Sequence, residues 1–285
     1  METTKHIQQQ FDKKDLLPLG PRNLIHSLAA WYHESSKSSR FSLYSELEKI
    51  MTFTDPFILR RSANPFKTYV DRQMFYLESE VKLQQEDFLK ILHDRRSKRE
   101  YDANYILTKN ELSALCYLSY GVVHWEPIIG DIHNGCFGYR NVPSGGALYP
   151  MELYFSSFNT YLPEGLYHYR PDINCLELVK KGNHASLLNE SILASPKVEL
   201  LSSSGIFFTT SIIERIIIKY GERGYRFMMM EAGAVNTLLS FVASSLNLSA
   251  CSIGGFYDDE INDFLEIDGA LETVNNILIV GGDKK

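Results

Sequence analysis

Leu166-Tyr167-His168-Tyr169-Arg170-Pro171-Asp172-Ile173-Asn174-Cys175-Leu176-Glu177-Leu178-Val179 is the stretch that decides the fold. Two apolar and aromatic runs, Leu166 to Tyr169 and Leu176 to Val179, flank a cluster of Pro, Asp and Asn. Turn formers between β-prone runs predict a hairpin, and a hairpin joins antiparallel strands. Upstream, Glu152 to Phe158 alternates partly and is aromatic, which predicts another strand. Downstream, Gly205 to Ser211 has the character of a buried strand and Asn276 to Val280 of a last one. Between them Tyr225 to Leu246 predicts a long helix, with Phe227, Met230, Val235, Leu238, Leu239, Val242 and Leu246 along one side. Before the first strand, Thr108-Lys109-Asn110-Glu111 is a capping box. It opens a helix with the stripe Leu112, Leu115, Cys116, Leu118, Ser119 and a stop at Gly121. Helices before and among strands joined partly by a hairpin indicate an α+β fold, not a regular βαβ repeat.

Residues 1–88 differ in character. Pro18, Pro21, Pro56 and Pro65 break them into short pieces, with helical patches at Leu24 to His33 and Ser42 to Met51. The spacing of Leu24, Ile25, Leu28, Trp31 and Tyr32 suits a helix packed on the main body, with His33 a polar residue at its end, and Ser35-Ser36-Lys37-Ser38-Ser39 reads as a flexible loop. Asp87 to Leu92 forms an amphipathic helix that runs into Arg95-Arg96-Ser97-Lys98-Arg99. The domain boundary is placed there: an N-terminal extension, 1–88, and a main domain, 89–285.

The chain has 285 residues, 44% of them hydrophobic and 22% charged, enough to bury a core and too apolar for disorder. Residues 1–100 carry a net charge of +3 and the remainder −9, which argues against a nucleic-acid-binding body. Cys116, Cys136, Cys175 and Cys251 show no C-x-x-C and no histidine at finger spacing, so no metal site is expected. No apolar run reaches membrane length and the first ten residues are polar, pointing to a reducing, cytoplasmic setting without a membrane partner.

Four segments could carry chemistry. Arg95-Arg96-Ser97-Lys98-Arg99 packs four cations and a hydroxyl into five residues, a good phosphate grip, although a solvated basic helix end has the same composition. Arg140-Asn141-Val142-Pro143-Ser144-Gly145-Gly146-Ala147-Leu148-Tyr149-Pro150 combines a rigid proline, a hydroxyl and two glycines, so its backbone can approach a planar ligand; a plain turn is the alternative. Ser252-Ile253-Gly254-Gly255-Phe256-Tyr257-Asp258-Asp259 ends a strand on two glycines and starts a helix with Asp258 or Asp259 as its cap. In Lys219-Tyr220-Gly221-Glu222-Arg223-Gly224, two groups that titrate near 10 in water sit side by side, and burial can tune a lysine for proton transfer. Both can face one pocket only if the chain is irregular, and Gly221 and Gly224 are expected to break the helix there.

Taken together, Arg95-Arg96-Ser97-x-Arg99, Arg140-x-x-Pro143-Ser144-Gly145-Gly146-Ala147-Leu148-Tyr149-Pro150, Gly165-Leu166-Tyr167-x-Tyr169-x-Pro171, Lys219-Tyr220-Gly221-x-Arg223-Gly224-Tyr225-Arg226, Glu231-Ala232-Gly233 and Ile253-Gly254-Gly255-Phe256 resemble the nitroreductase superfamily. More narrowly they are similar to its SagB-type azoline dehydrogenase branch. Tyr32-His33-Glu34-Ser35-Ser36-Lys37 resembles that branch's Y-H-E-x-[ST]-K element.

The resemblance implies a nitroreductase-like fold, a central mixed or antiparallel sheet surrounded by helices. It also implies an FMN enzyme that oxidises peptide thiazoline or oxazoline rings to thiazole or oxazole in natural-product biosynthesis. Arg95, Arg96, Ser97 and Arg99 would grip the phosphate and ribityl chain, Arg140, Pro143, Ser144 and Gly145 would line the flavin, and Ile253, Gly254 and Gly255 would pass against the ring. Lys219 and Tyr220 match the family's catalytic pair. A homodimer with FMN between subunits is implied, and a complex with a cyclodehydratase is a further implied partner. Two positions depart from the pattern. Ala234 stands where a histidine is common after Glu231-Ala232-Gly233, and Asn247 stands where a glycine is common; asparagine tolerates the left-handed conformation that turn needs. Lys284 or Lys285 could add a basic phosphate contact. The same superfamily holds NAD(P)H-dependent nitro and quinone reductases, and a flavin-dead scaffold of a peptide-modifying complex is the non-catalytic alternative.

Overall fold

The computed structural model describes residues 28–37, 43–81, 88–131, 133–194 and 197–284. Pro18, Pro21, Leu24 to Ser27, Ser38, Ser39, Ser42, Asp87 and Lys285 lie outside the described residues. In chain order the helices and strands are α1 (Leu28–Ser35), α2 (Leu43–Thr52), α3 (Pro56–Ser62), β1 (Met74–Tyr76), α4 (Phe88–Asp94), β2 (Tyr101–Asp102), α5 (Lys109–Tyr120), β3 (Val122–Pro127), β4 (Cys136–Arg140), β5 (Met151–Ser157), β6 (Gly165–Arg170), β7 (Cys175–Lys181), α6 (Ala185–Ser191), β8 (Gly205–Ile212), α7 (Glu214–Tyr220), α8 (Glu222–Ser245), β9 (Leu248–Ile253), α9 (Asp258–Leu265) and β10 (Glu272–Asp283).

Eight strands form one sheet in the order β1-β7-β6-β5-β8-β10-β2, with β9 also on β10. Every strand pairing described is antiparallel, so of the expected mixed or antiparallel sheet the second form is the one found. The hairpin is β6–β7, with Asn174 in its turn at φ +47°. The capping box on α5 is present with both reciprocal hydrogen bonds, and Asn247 takes φ +57° after α8.

Side-chain alternation along β5 divides the core. Leu153 and Phe155 join Leu112, Leu115, Phe207, Val235 and Leu239 on the face covered by α5 and α8. Tyr154 joins Leu188, Phe208, Ile261, Phe264 and Ile277 on the face covered by α6 and α9. That second face is also unusually polar. His168 Nε2 lies 2.7 Å from Glu152 Oε2 and its Nδ1 lies 3.2 Å from Glu177 Oε2, all three buried, and Glu152 accepts from Arg215 at 2.5 Å. The pairing holds Glu152 down at about 2 despite full burial.

Several expectations need correction. α8 begins at Glu222 and not at Tyr225, and its buried stripe runs through Met228, Glu231, Ala232, Val235, Leu239 and Val242, while Met230 is 70% exposed. Lys219 and Tyr220 are the last residues of a regular helix, α7. Only Gly221 (φ +54°) breaks the chain; Gly224 lies inside α8, where an added Cβ would sit 2.9 Å from Ile216 O, so it is glycine for close helix packing. The cap of α9 is Tyr257, with Asp258 and Asp259 in the first turn, where their charges suit the helix dipole. Ser35 closes α1 and Ser36 is buried, so that part of the serine run is not loop. The hairpin β3–β4 and helices α3 and α6 were not foreseen.

The described part of the extension shares the main core. β1 pairs with β7, and Lys67 donates to Tyr154 Oη (2.6 Å) and pairs with Glu272 (2.7 Å) under the sheet. α8 is long and apolar enough by length and composition to cross a membrane, but it packs through its buried stripe into the core.

Candidate active site

The loop that follows β4 turns sharply at Gly145–Ala147, where Gly146 has φ +63° and Ala147 φ +54°. Ser144 Oγ fixes the loop by accepting from Tyr149 N at 2.9 Å. α7 packs over this turn. A Cβ built on Gly146 would lie 2.7 Å from both Lys219 Nζ and Tyr220 Oη, so the two side chains converge on this glycine. They are about 100° apart around α7, yet both are long and reach the same spot because Gly146 leaves it empty. This is how a regular helix presents adjacent residues to one place.

The environment pulls the pair apart in acidity. Burial lowers the Lys219 amine and raises the Tyr220 phenol, so the lysine moves toward its neutral, basic form while the tyrosine keeps its proton. Tyr220 is held edge-on against Phe227, with ring centroids 5.1 Å apart. The Lys219 ammonium lies 4.7 Å from the centre of the Phe53 ring.

Phe137, Tyr139, Asn141, Pro143, Ser144 and Gly146 line an open cleft of about 530 Å³ over the same loop. The Arg140 guanidinium is sunk among the rings of Tyr120 (4.2 Å), Tyr149 (4.8 Å) and Phe66 (5.5 Å) and donates to Pro65 O at 3.0 Å. Its Nε and one terminal nitrogen have no partner. Nearby, Glu231 of α8 is 97% buried; its Oε1 accepts from Tyr120 Oη at 2.9 Å and its Oε2 has no hydrogen-bond partner. Burial pushes this carboxyl up to about 7, against the pull of the Ser144 and Tyr120 hydroxyls and of Arg140 and Arg215. Arg215, at the start of α7, donates to both Tyr149 O (3.2 Å) and Glu152, tying the loop and α7 to the sheet.

The basic strip lies elsewhere. After α4 the chain is irregular from Arg95 to Glu100 and is held to β9 by Lys98 N donating to Ala250 O at 3.0 Å. Lys98 pairs with Asp283 and Arg96 donates to the carbonyls of His93 and Arg95. Among the described residues the side chains of Arg95 and Ser97 make no hydrogen bond or ion pair, and that of Arg99 makes only one, to Ser97 O at 3.3 Å. β9 carries Ile253 to the rim of the sheet. At Gly254 an added Cβ would meet nothing within 4 Å, and at Gly255 only Leu193, at 3.5 Å. Lys284 pairs with Glu199 and Glu100 and is not free for an anion.

The structure thus sorts the expected residues into two groups: Arg140, Pro143, Ser144, Gly145, Lys219 and Tyr220 in one, and Arg95, Arg96, Ser97, Arg99, Ile253, Gly254 and Gly255 in the other. Among the described residues no hydrogen bond or ion pair joins them. Sequence reading gave no role to Glu231 or Phe53. An acid on the apolar stripe of α8 was a usable signal for Glu231, whereas Phe53 meets Lys219 across 166 residues of chain and left none. Among the described residues there is no group of three or more His, Cys, Asp or Glu placed to hold a metal, and the four cysteines are unpaired.

An antiparallel sheet flanked by a long core helix, with this glycine loop and basic strip, defines a class. The chain belongs to the nitroreductase family, whose family model matches residues 92–282. It is 32% identical over 183 residues to the nitroreductase-like protein MJ1384 of Methanocaldococcus jannaschii, covering 62% of this chain and 83% of that one. It is 31% identical over 135 residues to the microcin B17-processing protein McbC of Escherichia coli, 45% of this chain and about half (49%) of McbC. In structure it matches a nitroreductase-like protein of Anabaena variabilis with a TM-score of 0.63 at 27% identity, covering 77% of this chain but only 44% of that longer one. A chain of the E. coli microcin synthetase McbBCD complex with truncated pro-MccB17 bound matches with a TM-score of 0.54 at 19% identity, covering 87% of this chain and 99% of that one, a likeness of fold.

Proposed function

We propose that the protein is an FMN-dependent azoline dehydrogenase that oxidises thiazoline or oxazoline rings in a peptide. The observation that carries this reading is the convergence of Lys219 Nζ and Tyr220 Oη over Gly146, with burial moving the lysine toward its basic form. Aromatising an azoline removes a proton from one ring carbon and a hydride from its neighbour. Lys219 takes the proton, and Tyr220, which keeps its own, donates a hydrogen bond that orients the ring. FMN, when bound, supplies the hydride acceptor. A reductase of small oxidants has no need of such a base.

The residues present fit the cofactor. Among the described residues the side chains of Arg95 and Ser97 have donors with no partner, that of Arg99 makes one long hydrogen bond, and Gly254 leaves its backbone open to a flat ring. Arg95, Arg96, Ser97 and Arg99 would hold the phosphate end, Ile253, Gly254 and Gly255 would lie along the ring, and Arg140, Pro143, Ser144 and Gly145 would form the wall that carries the base. Because these are two separate groups on one chain, we assign the complete site to a homodimer in which each chain contributes one group to each flavin. Phe88, Leu89 and Leu92 of α4 and Met229 and Met230 of α8 are exposed apolar side chains available to such an interface, which should bury well over ~2,000 Å².

The relationship to McbC, a microcin B17-processing protein, supports a peptide substrate, and the partner proposed for assembly is a cyclodehydratase, the class of enzyme that makes azoline rings. The unpaired cysteines suit a reducing cytoplasm. The decisive experiment mixes the purified protein anaerobically with an azoline peptide and, separately, with NADPH. Flavin bleaching by the peptide, with a loss of about 2 Da per ring from the two hydrogens removed, is expected. Bleaching by NADPH alone would make the protein a reductase, and failure to take up FMN would make it a scaffold.

A further inference from the structure

We propose that Phe53, carried by the N-terminal extension, is a positioning residue that caps the Lys219 amine and keeps it short of water. The extension thereby completes the surroundings of the base, although the family match begins only at residue 92. This rests on the assignment of Lys219 as the base. Phe53 sits in the turn after α2, buried, with its ring centre 4.7 Å from Lys219 Nζ. The Tyr220 ring closes another side at 5.5 Å, and the Gly146 turn a third.

The charged groups around the amine leave burial unopposed. α2 brings Lys49 toward Gly221, the turn Gly145–Ala147 carries no charge, α7 itself bears Glu214 and Arg215, and α8 begins with Glu222 and Arg223. None of the carboxylates pairs with Lys219 among the described residues, and desolvation is what lowers the amine. The face of a phenyl ring attracts a cation while its bulk excludes water. Here exclusion dominates.

A second set of contacts fixes the extension at this joint. Tyr32 Oη donates to Glu222 O at 3.0 Å and the Tyr32 ring meets Tyr225 edge-on at 5.3 Å. Arg226 donates to Ser36 Oγ at 2.9 Å and to His33 O. The Tyr32–Lys37 element therefore grips the first turns of α8, two to six residues beyond Tyr220.

The test is competitive acetylation of the full-length protein with acetic anhydride across pH, read by mass spectrometry at Lys219 with exposed Lys109 as internal reference. In the parent, Lys219 should titrate below the ordinary lysine value of about 10.4. In Phe53→Ala its midpoint should rise toward that ordinary value, and in Phe53→Leu, which keeps apolar bulk without the ring, it should stay low. Should the alanine variant fail to fold, Phe53→Gln serves in its place and should also raise the midpoint. Equal midpoints in the parent and the Ala or Gln variant would overturn the proposal. Azoline turnover by Phe53→Ala near neutral pH should fall in kcat by about tenfold with KM little changed. A shifted midpoint with unaltered turnover would leave the cap in place and remove Lys219 from the role of base.

Discussion

The turn at Gly146 and the strip from Arg95 to Arg99 are the two halves of the proposed site, and they differ in how deeply the protein has sunk their polar groups. Beneath the cleft around Gly146 the polar groups are packed: Lys219 and Tyr220 meet over one glycine, Arg140 is buried among three aromatic rings, and Glu231 lies beneath with its carboxyl raised to about 7. Along the strip, the side chains of Arg95 and Ser97 have no partner among the described residues and Gly254 faces open space. The contrast separates two jobs. Proton chemistry needs a perturbed group, and perturbation requires burial. Anion binding needs charged donors that a ligand can reach from solvent, which the exposed strip offers and the buried Arg140 does not.

The sharpest way to break this division is at the packed end. Lys219→Ala and Tyr220→Phe should each slow azoline oxidation by roughly 10²- to 10⁴-fold, the weight of a positioned base or acid, while the purified protein stays yellow and dimeric. Stopped-flow turnover beside the flavin absorbance measures both. Flavin loss in these variants would merge the two jobs. At the strip the pattern should invert: Arg95→Ala and Arg99→Ala should weaken FMN binding about 10- to 100-fold, the scale of a charged hydrogen bond. Fluorescence titration of apoprotein reads this directly. Undiminished FMN affinity would return the strip to an ordinary solvated helix end.

A smaller effect is expected from Gly146→Ala. Its φ of +63° costs an alanine about 1–2 kcal/mol, and the new Cβ would press on Lys219 Nζ and Tyr220 Oη at 2.7 Å. Both side chains must shift, so on the proposed assignment kcat should drop about tenfold with FMN affinity unchanged. A variant with parental kcat would show that the convergence over Gly146 is unimportant.

What the sequence made legible follows the same line between local and distant causes. The β6–β7 hairpin, the capping box of Thr108 and the turn at Asn247 rest on residues within a few positions of one another, and all three are present. The strip and the glycine loop could be picked out because their residue types are unusual side by side. Lys219-Tyr220 was misread as irregular because two nearby glycines were given equal weight. A glycine after a helix permits regular winding up to it, whereas Gly224 is there for packing. The β3–β4 hairpin did have turn formers in its connection, Gly130-Asp131 and Asn134-Gly135, but its first strand, Val122–Pro127, is exposed at every residue after Val122 and shows no apolar alternation to mark it. Phe53 was out of reach altogether, because its partner is set only by tertiary packing.

The smallest expected effect concerns Glu231 and tests whether burial at the packed end costs stability. Its carboxyl is raised from an ordinary 4.5 to about 7 by burial. Between those values the folded chain holds a proton that the unfolded chain has lost, so stability falls as pH rises through that window and stays low above it. Glu231→Gln keeps a carbonyl oxygen to accept from Tyr120 and never ionises. Arg140 loses a neighbouring anion in the variant, but the raised value already includes the pull of Arg140, so the sign stands. The variant should therefore melt about 2–6 °C above the parent at pH 8, with the gap closing as pH falls toward 4.5. Calorimetry at several pH values would show it. A gap that is constant with pH, or of opposite sign at pH 8, would mean that Glu231 is comfortably ionised beside Arg140, and that the packed end holds a charge as readily as the open strip does.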